Sequence, residues 1–129
     1  MPMSGWCTVM AHTLGMMYGV PHGAACGIIL PEVMRFNVDF AIDKLALAAQ
    51  ALGVDTAGME KRAAALAAAD VVESLMKEAG HPMKLREVGV PGDAFDAAAA
   101  HAICDAVTMF NARPVMDPAE VVALYKKVF

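Results

Sequence analysis

The chain has 129 residues, a formal net charge of −4 and a pI near 5.4, enough for one domain that buries well over half of its unfolded surface. The acidic balance argues against a nucleic-acid partner, which recruits basic surfaces. Lys and Arg are scattered, and their longest run is the pair Lys126-Lys127.

The first element follows from an uncharged stretch. From Met1 to Pro31 there is no Asp, Glu, Lys or Arg, and 58% of the whole chain is hydrophobic. A membrane span needs an unbroken apolar run. This stretch is interrupted by Gly15, Gly19, Pro21, Gly23 and Gly27, carries His12 and His22, and lacks the basic flank of a signal peptide. It is therefore expected to be a buried, functional core segment rather than a membrane anchor. Its pattern predicts a helix from about Ser4 to Tyr18, stopped by Gly19 and Pro21. A second helix starts at Pro21-His22-Gly23. Pro31 is expected to kink or restart it, because proline removes a donor and crowds the preceding turn. The continuation runs to Phe36 and ends near Asn37.

A third helix fits Asp39 to Leu52, with Phe40, Leu45, Leu47 and Ala48 apolar and Gly53 as its stop. The fourth, about Thr56 to Ala79, carries a stripe of Leu66, Ala69, Val72 and Met76, ended by Gly80 and Pro82. Residues 83–90 form a connector, in which Lys84, Arg86 and Glu87 read as solvated surface. Asp93 is the expected N-cap of a fifth helix, whose stripe is Phe95, Ala98, Ala102, Ala106 and Met109. Asp117-Pro118-Ala119-Glu120 combines a capping Asp, a proline at the first helical position and a first-turn acid, opening a last helix. Its apolar residues are Val121, Leu124, Tyr125 and Val128. No segment alternates as a strand does. The expected architecture is all-α, one helical domain over residues 1–129.

Chemistry has few places to reside. The phosphate loops GxGxxG and GxxxxGK[ST] are absent, as are HExxH and a GxSxG elbow. Cys7, Cys26 and Cys104 form no CxxC pair and are odd in number, which fits reduced thiols in a cytoplasmic protein. Cys7 and Cys26 read as small buried residues, with Cys7 near enough to His12 for a metal role to be conceivable. Asn37 and Asn111 read as helix terminators. There remain His12, on a helix running into a sharp turn, and His22, within that turn. Each reads either as a core histidine bonded to a backbone carbonyl or as one of two imidazoles that bind a divalent metal or relay a proton.

Met10-Ala11-His12-x-Leu14-Gly15, Tyr18-x-x-Pro21-His22-Gly23 and Ile28-x-Leu30-Pro31-x-Val33-Met34-x-Phe36-Asn37 closely resemble the signature of the iron-dependent (group III) alcohol dehydrogenases. Leu85-Arg86-Glu87-x-Gly89-Val90-Pro91 resembles that family's connector, and Thr108-x-x-Asn111-x-Arg113-Pro114 its C-terminal signature. The resemblance implies the C-terminal helical, metal-binding domain of a fold also shared by dehydroquinate synthase-like proteins, without the N-terminal domain that binds NAD(P). In the complete family enzyme Fe(II), sometimes Zn(II), sits on one Asp and three His in the interdomain cleft. It acts on a small alcohol or aldehyde whose hydride passes to NAD(P). His22 matches the last metal ligand. His12 matches the histidine assigned to proton relay and to contact with the nicotinamide or substrate, which makes it the catalytic and cofactor-binding residue of this chain. A further family ligand lies four residues before His12, where this chain has Thr8, whose neutral hydroxyl is a poor ligand for Fe(II) or Zn(II). The other Asp and His lie upstream of any residue present.

The resemblance thus implies part of an NAD(P)-dependent alcohol or aldehyde oxidoreductase, incomplete for catalysis alone and holding no stoichiometric metal or nucleotide. The alternative is a non-catalytic helical oligomerisation or binding module derived from that family. The uncharged Met1–Pro31 segment would line the cleft that the absent domain fills, and exposed apolar faces find partners. Self-association of the isolated chain is accordingly expected in sedimentation velocity at high protein concentration; a clean monomer would count against it.

Overall fold

In the computed structural model, which describes residues 5–129, six α-helices and three short 3₁₀ turns account for the ordered elements, and no strand occurs among the described residues. The helices are α1 (Gly5–Tyr18), α2 (His22–Phe36), α3 (Ile42–Ala51), α4 (Lys61–Glu78), α5 (Phe95–Ala102) and α6 (Pro118–Lys127). The 3₁₀ turns are Val38–Phe40, Leu85–Val88 and Ala106–Phe110. None of the helices is long and apolar enough to cross a membrane. Ser4, the expected start of α1, lies outside the described residues.

On α1 the apolar residues recur at helical spacing, and Trp6, Val9, Met10 and Leu14 are completely buried. That stripe packs on α2, where Ala25, Ile28, Ile29 and Val33 are also buried. Phe95 and Ala98 of α5, and Val121, Leu124 and Tyr125 of α6, close this core from the other side. Within it the Tyr125 phenol donates to the Met10 carbonyl at 3.1 Å, and Phe95 lies between the rings of Tyr125 and Phe129. The connector is tied down by the Leu85 amide, which donates to the Val128 carbonyl at 2.9 Å.

A second, smaller core lies at the C-terminal end of α2. Met34, Val38 and Ala41 meet Leu45 and Ala49 of α3 and Ala65, Ala68 and Ala69 of α4. The alanines leave no bulk between these helices, so the backbones approach closely. Arg35 of α2 reaches Asp70 at 2.8 Å and also pairs with Glu73, while Lys127 of α6 reaches Glu32 at 2.7 Å. These bridges are partly solvated and fix orientation more than they add stability. Where the two cores meet, Asn37 and Asn111 exchange side-chain hydrogen bonds of 3.1 and 2.8 Å, and Asn111 also donates to the Arg113 carbonyl at 2.8 Å. Both amides are buried. They therefore join distant segments rather than merely ending helices. The Arg113 guanidinium lies 3.9 Å over the Phe36 ring beside them.

Several element boundaries differ from the sequence expectations. Helix α2 runs without a break from His22 to Phe36, with Pro31 inside it and buried. One missing backbone bond is outweighed by a helix buried against both cores. Helix α4 begins at Lys61 rather than near Thr56. The Thr56 hydroxyl accepts from Gln50 instead, Asp55 accepts from the Ala57 amide, and Glu60 caps the helix through the Arg62 and Ala63 amides. At its other end Gly80 adopts φ +71°, letting the His81 amide reach the Met76 carbonyl at 3.0 Å. Gly53 follows α3 as expected. The expected third helix begins only at Ile42, so Phe40 falls in the 3₁₀ turn before it and is exposed; within α3 Leu45 and Ala49 are buried and Leu47 is exposed.

Helix α5 is shorter than its apolar stripe suggested. It is preceded by Ala94 rather than capped by Asp93, and it stops at Ala102. Asp105 then accepts from the Val107 amide at 2.9 Å and starts a 3₁₀ turn in which Ala106 and Met109 face solvent. An Asp side chain competes with helix continuation in this way. Helix α6 follows expectation: Asp117 accepts from the Ala119 amide at 2.9 Å ahead of Pro118.

The buried amide pair is testable. Replacing Asn111→Ala removes two hydrogen bonds of the Asn37 amide and should cost about 2 kcal/mol. Urea unfolding should show a lower midpoint with the slope unchanged.

Candidate functional site

Helix α1 buries one stripe and so presents its opposite side. His12 and Met16, four residues apart, are exposed there, with Met16 68% accessible. The helix ends where Gly19 takes φ +68°, a conformation costly for any residue with a Cβ, and its amide bonds the Gly15 carbonyl at 3.0 Å. The chain reverses through Val20 and Pro21, and His22 is the first residue of α2. Because α1 and α2 pack side by side, the reversal sets the His12 and His22 rings next to each other, with centroids 4.8 Å apart and planes tilted by 35°. Neither histidine is a core residue; both are exposed.

The two imidazoles stand in the wall of a cavity of about 420 Å³, opposite residues from the far end of the fold. His101 of α5 and Asp105, which caps the following 3₁₀ turn, line the same cavity, together with Met16 and Thr13. His101 and Asp105 lie four residues apart, a spacing visible in the sequence. Only the packing of α5 and the 3₁₀ turn against α1 brings them to His12.

The cysteines divide sharply. Cys7, expected to be buried, is 4% exposed and directs its thiol to the Cys26 carbonyl at 3.6 Å, away from any metal-binding role beside His12. Burial, reinforced by the neighbouring Cys26, pushes the Cys7 thiol up to about 12. Cys26, also expected to be buried, is only partly so, and its Sγ lies 3.3 Å from His22 Nε2. Burial raises the Cys26 thiol as well.

As a donor set for iron, these residues fall short. Among the described residues no three His, Cys, Asp or Glu side chains gather where they could hold an ion. Thr8, partly buried on α1, carries a neutral hydroxyl, a poor ligand for iron. His22 is thus left without a full set of hard or imidazole partners from its own chain, and no catalytic step can be routed through iron held by these residues alone.

Comparison with known proteins places this geometry in context. Residues 3–129 match the sequence profile described as Fe-containing alcohol dehydrogenase family, C-terminal. The chain is 42% identical over 104 residues to lactaldehyde reductase of Escherichia coli K12, an overlap of 81% of this chain and 27% of that protein. It is 32% identical over 125 residues to 1,3-propanediol dehydrogenase of Citrobacter freundii, covering 97% of this chain and 32% of the relative. Among solved structures, a 1,3-propanediol oxidoreductase superposes with a TM-score of 0.92 at 31% identity, over 96% of this chain and 32% of that one. An alcohol dehydrogenase from Oenococcus oeni superposes with a TM-score of 0.91 at 27% identity. The chain spans about a third of the length of these proteins.

The thiol assignments predict an order of reactivity. Below pH 9 the Cys7 thiol stays neutral in the folded chain, so a thiolate-specific reagent should label exposed Cys104 first, Cys26 more slowly and Cys7 only on unfolding. Between pH 9 and 12 the unfolded chain ionises Cys7 while the folded chain does not, so stability should fall as pH rises through that window. Mass spectrometry of time-quenched labelling, repeated in denaturant, reads the order directly.

Proposed function

Because the chain belongs to the Fe-containing alcohol dehydrogenase family, as its C-terminal domain, we propose that it forms the substrate-facing helical half of an oxidoreductase of small alcohols and aldehydes. It works with an N-terminal domain that binds NAD(P). The observation that carries this reading is the His12–His22 pair, 4.8 Å apart on the wall of a 420 Å³ cavity. Lactaldehyde and 1,3-propanediol, the compounds in the relatives' names, are small enough for such a space.

In this reading His12 moves the proton of the substrate hydroxyl and contacts the nicotinamide. An exposed imidazole at the cavity wall suits that work, since its two ring nitrogens can accept a proton at one and donate at the other. His22 is the one residue here that would ligate the family's metal, and the other donors come from outside this chain. The exposed Met16 in the cavity wall offers apolar surface on which the nucleotide-binding domain closes and excludes water. A second reading, a non-catalytic module that kept the fold, draws on Thr8.

Alone, the chain is expected to retain no iron after dialysis and to oxidise no short alcohol with NAD or NADP, checked by elemental analysis beside an NADH-absorbance assay. Thr8→His should raise its metal affinity without conferring turnover. Supplying the N-terminal domain of a relative by fusion to the Thr8→His chain should produce turnover. A further His12→Ala change should reduce that turnover about 100-fold or more, the size of a general acid–base contribution. A folded fusion with no turnover would favour the non-catalytic module.

A further inference from the structure

The contact between Cys7 and Cys26 is unused by the reading above. Cys7 lies on α1 and Cys26 on α2, nineteen positions along the chain, and they meet across the seam of the two helices. We propose that this pair is a site of oxidative modification, where a peroxide joins Cys7 and Cys26 in an intrachain disulfide that staples α1 to α2. The site uses residues of this chain alone and does not depend on the oxidoreductase reading.

The placement of the two sulfurs carries the inference. The Cys7 Sγ stands 3.6 Å from the Cys26 carbonyl oxygen, and it engages the Cys26 thiol itself. A disulfide needs Cα atoms about 4.4–6.8 Å apart, so the two backbones must run close together. Small residues on both helices meet that need: Ala11 and Ala25 are completely buried in the core that α1 and α2 share. The Cys26 sulfur now rests 3.3 Å from His22 Nε2. Rotation about its Cα–Cβ bond exchanges that contact for a bond to Cys7. The third cysteine, Cys104, is exposed beyond the end of α5 and takes no part in this seam.

Exposure sets the order of events. Cys7 is 4% exposed, whereas Cys26 is only partly buried, so Cys26 is the sulfur that meets the oxidant. The Cys26 sulfur attacks one peroxide oxygen, the O–O bond breaks, and Cys26 becomes a sulfenic acid while the other oxygen leaves as water. The Cys7 sulfur then attacks the Cys26 sulfur and expels the hydroxyl as a second water. Two thiols lose two electrons and two protons, and one hydrogen peroxide becomes two waters. Because Cys7 already touches Cys26, the sulfenic acid is captured within the fold before further peroxide can carry it to the irreversible sulfinic acid. Limited access to Cys26 makes the first step slow, on the order of minutes to hours.

Hydrogen peroxide is the probe, added in excess to the 129-residue chain and quenched over time. Intact mass should fall by two hydrogens, and dithiothreitol should restore it. Thiols counted in denaturant should drop from three to one, Cys104 alone. Chymotryptic cleavage after Tyr18, which lies between the two cysteines, should release the Cys7 and Cys26 peptides joined, and separate only after reduction. The oxidised chain should melt about 5–10 °C higher, since the bridge closes a loop of some twenty residues in the unfolded state. Cys104→Ser should keep the bridge. Cys26→Ser and Cys7→Ala should each lose it, with circular dichroism confirming that both remain helical, and Cys7→Ala should instead gain oxygen at Cys26. A wild-type chain whose Cys7 still labels in denaturant after oxidation overturns the proposal. So does a disulfide that includes Cys104, or a melting temperature that does not rise. No outcome depends on turnover, so the oxidoreductase reading stands or falls separately.

Discussion

The packing of α1 against α2 is the constraint on which the rest of this fold depends. Trp6, Met10 and Leu14 on one helix and Ile28, Ile29 and Val33 on the other are withdrawn from water together. Each large side chain so buried contributes about 1.5–3 kcal/mol of transfer free energy. With both helices anchored by their inner faces, the short reversal at Gly19–Pro21 has little freedom. The outer side of α1 and the first turn of α2 must then meet, and His12 and His22 are what they carry. The site is a by-product of burying the opposite faces of the same two helices.

Helix α2 also explains why a small domain can hold two cores. Its N-terminal half packs with α1, α5 and α6, and its C-terminal half with α3 and α4. A helix buried on nearly all sides tolerates Pro31, because the lost backbone bond is small against what its side chains bury. It also explains the Asn37–Asn111 pair. Where one core ends and the other begins, backbone and side-chain polar groups cannot reach water, and two facing amides satisfy each other.

The site combines groups of very different sequence separation. His12, His22 and Cys26 are neighbours within fifteen residues, and the packing of α1 on α2 brings them together. His101 and Asp105 come from the other end of the chain and depend on α5 and its 3₁₀ turn seating against α1.

What could be read directly from the sequence was everything set by local periodicity and end signals. The all-α class, α1, the Asp117 cap of α6 and the stops at Gly53 and Gly80 all followed from spacing and capping. What only the tertiary structure decided were the points where local signals compete. Pro31 locally predicts a break, and burial overrides it. Thr56 and Asp93 look like helix starts, but Glu60 opens one helix and Ala94 precedes the other. The stripe through Met109 predicts a longer α5, yet Asp105 bonds the backbone and turns it outward. The partners of the site were hidden for a related reason. Nothing in the composition of α2 says that Cys26 faces His22 rather than the core, nor that His101 shares a cavity with His12. Such choices depend on how helices rotate about their axes when they pack, and that rotation is set by the sum of the buried contacts rather than by any one segment.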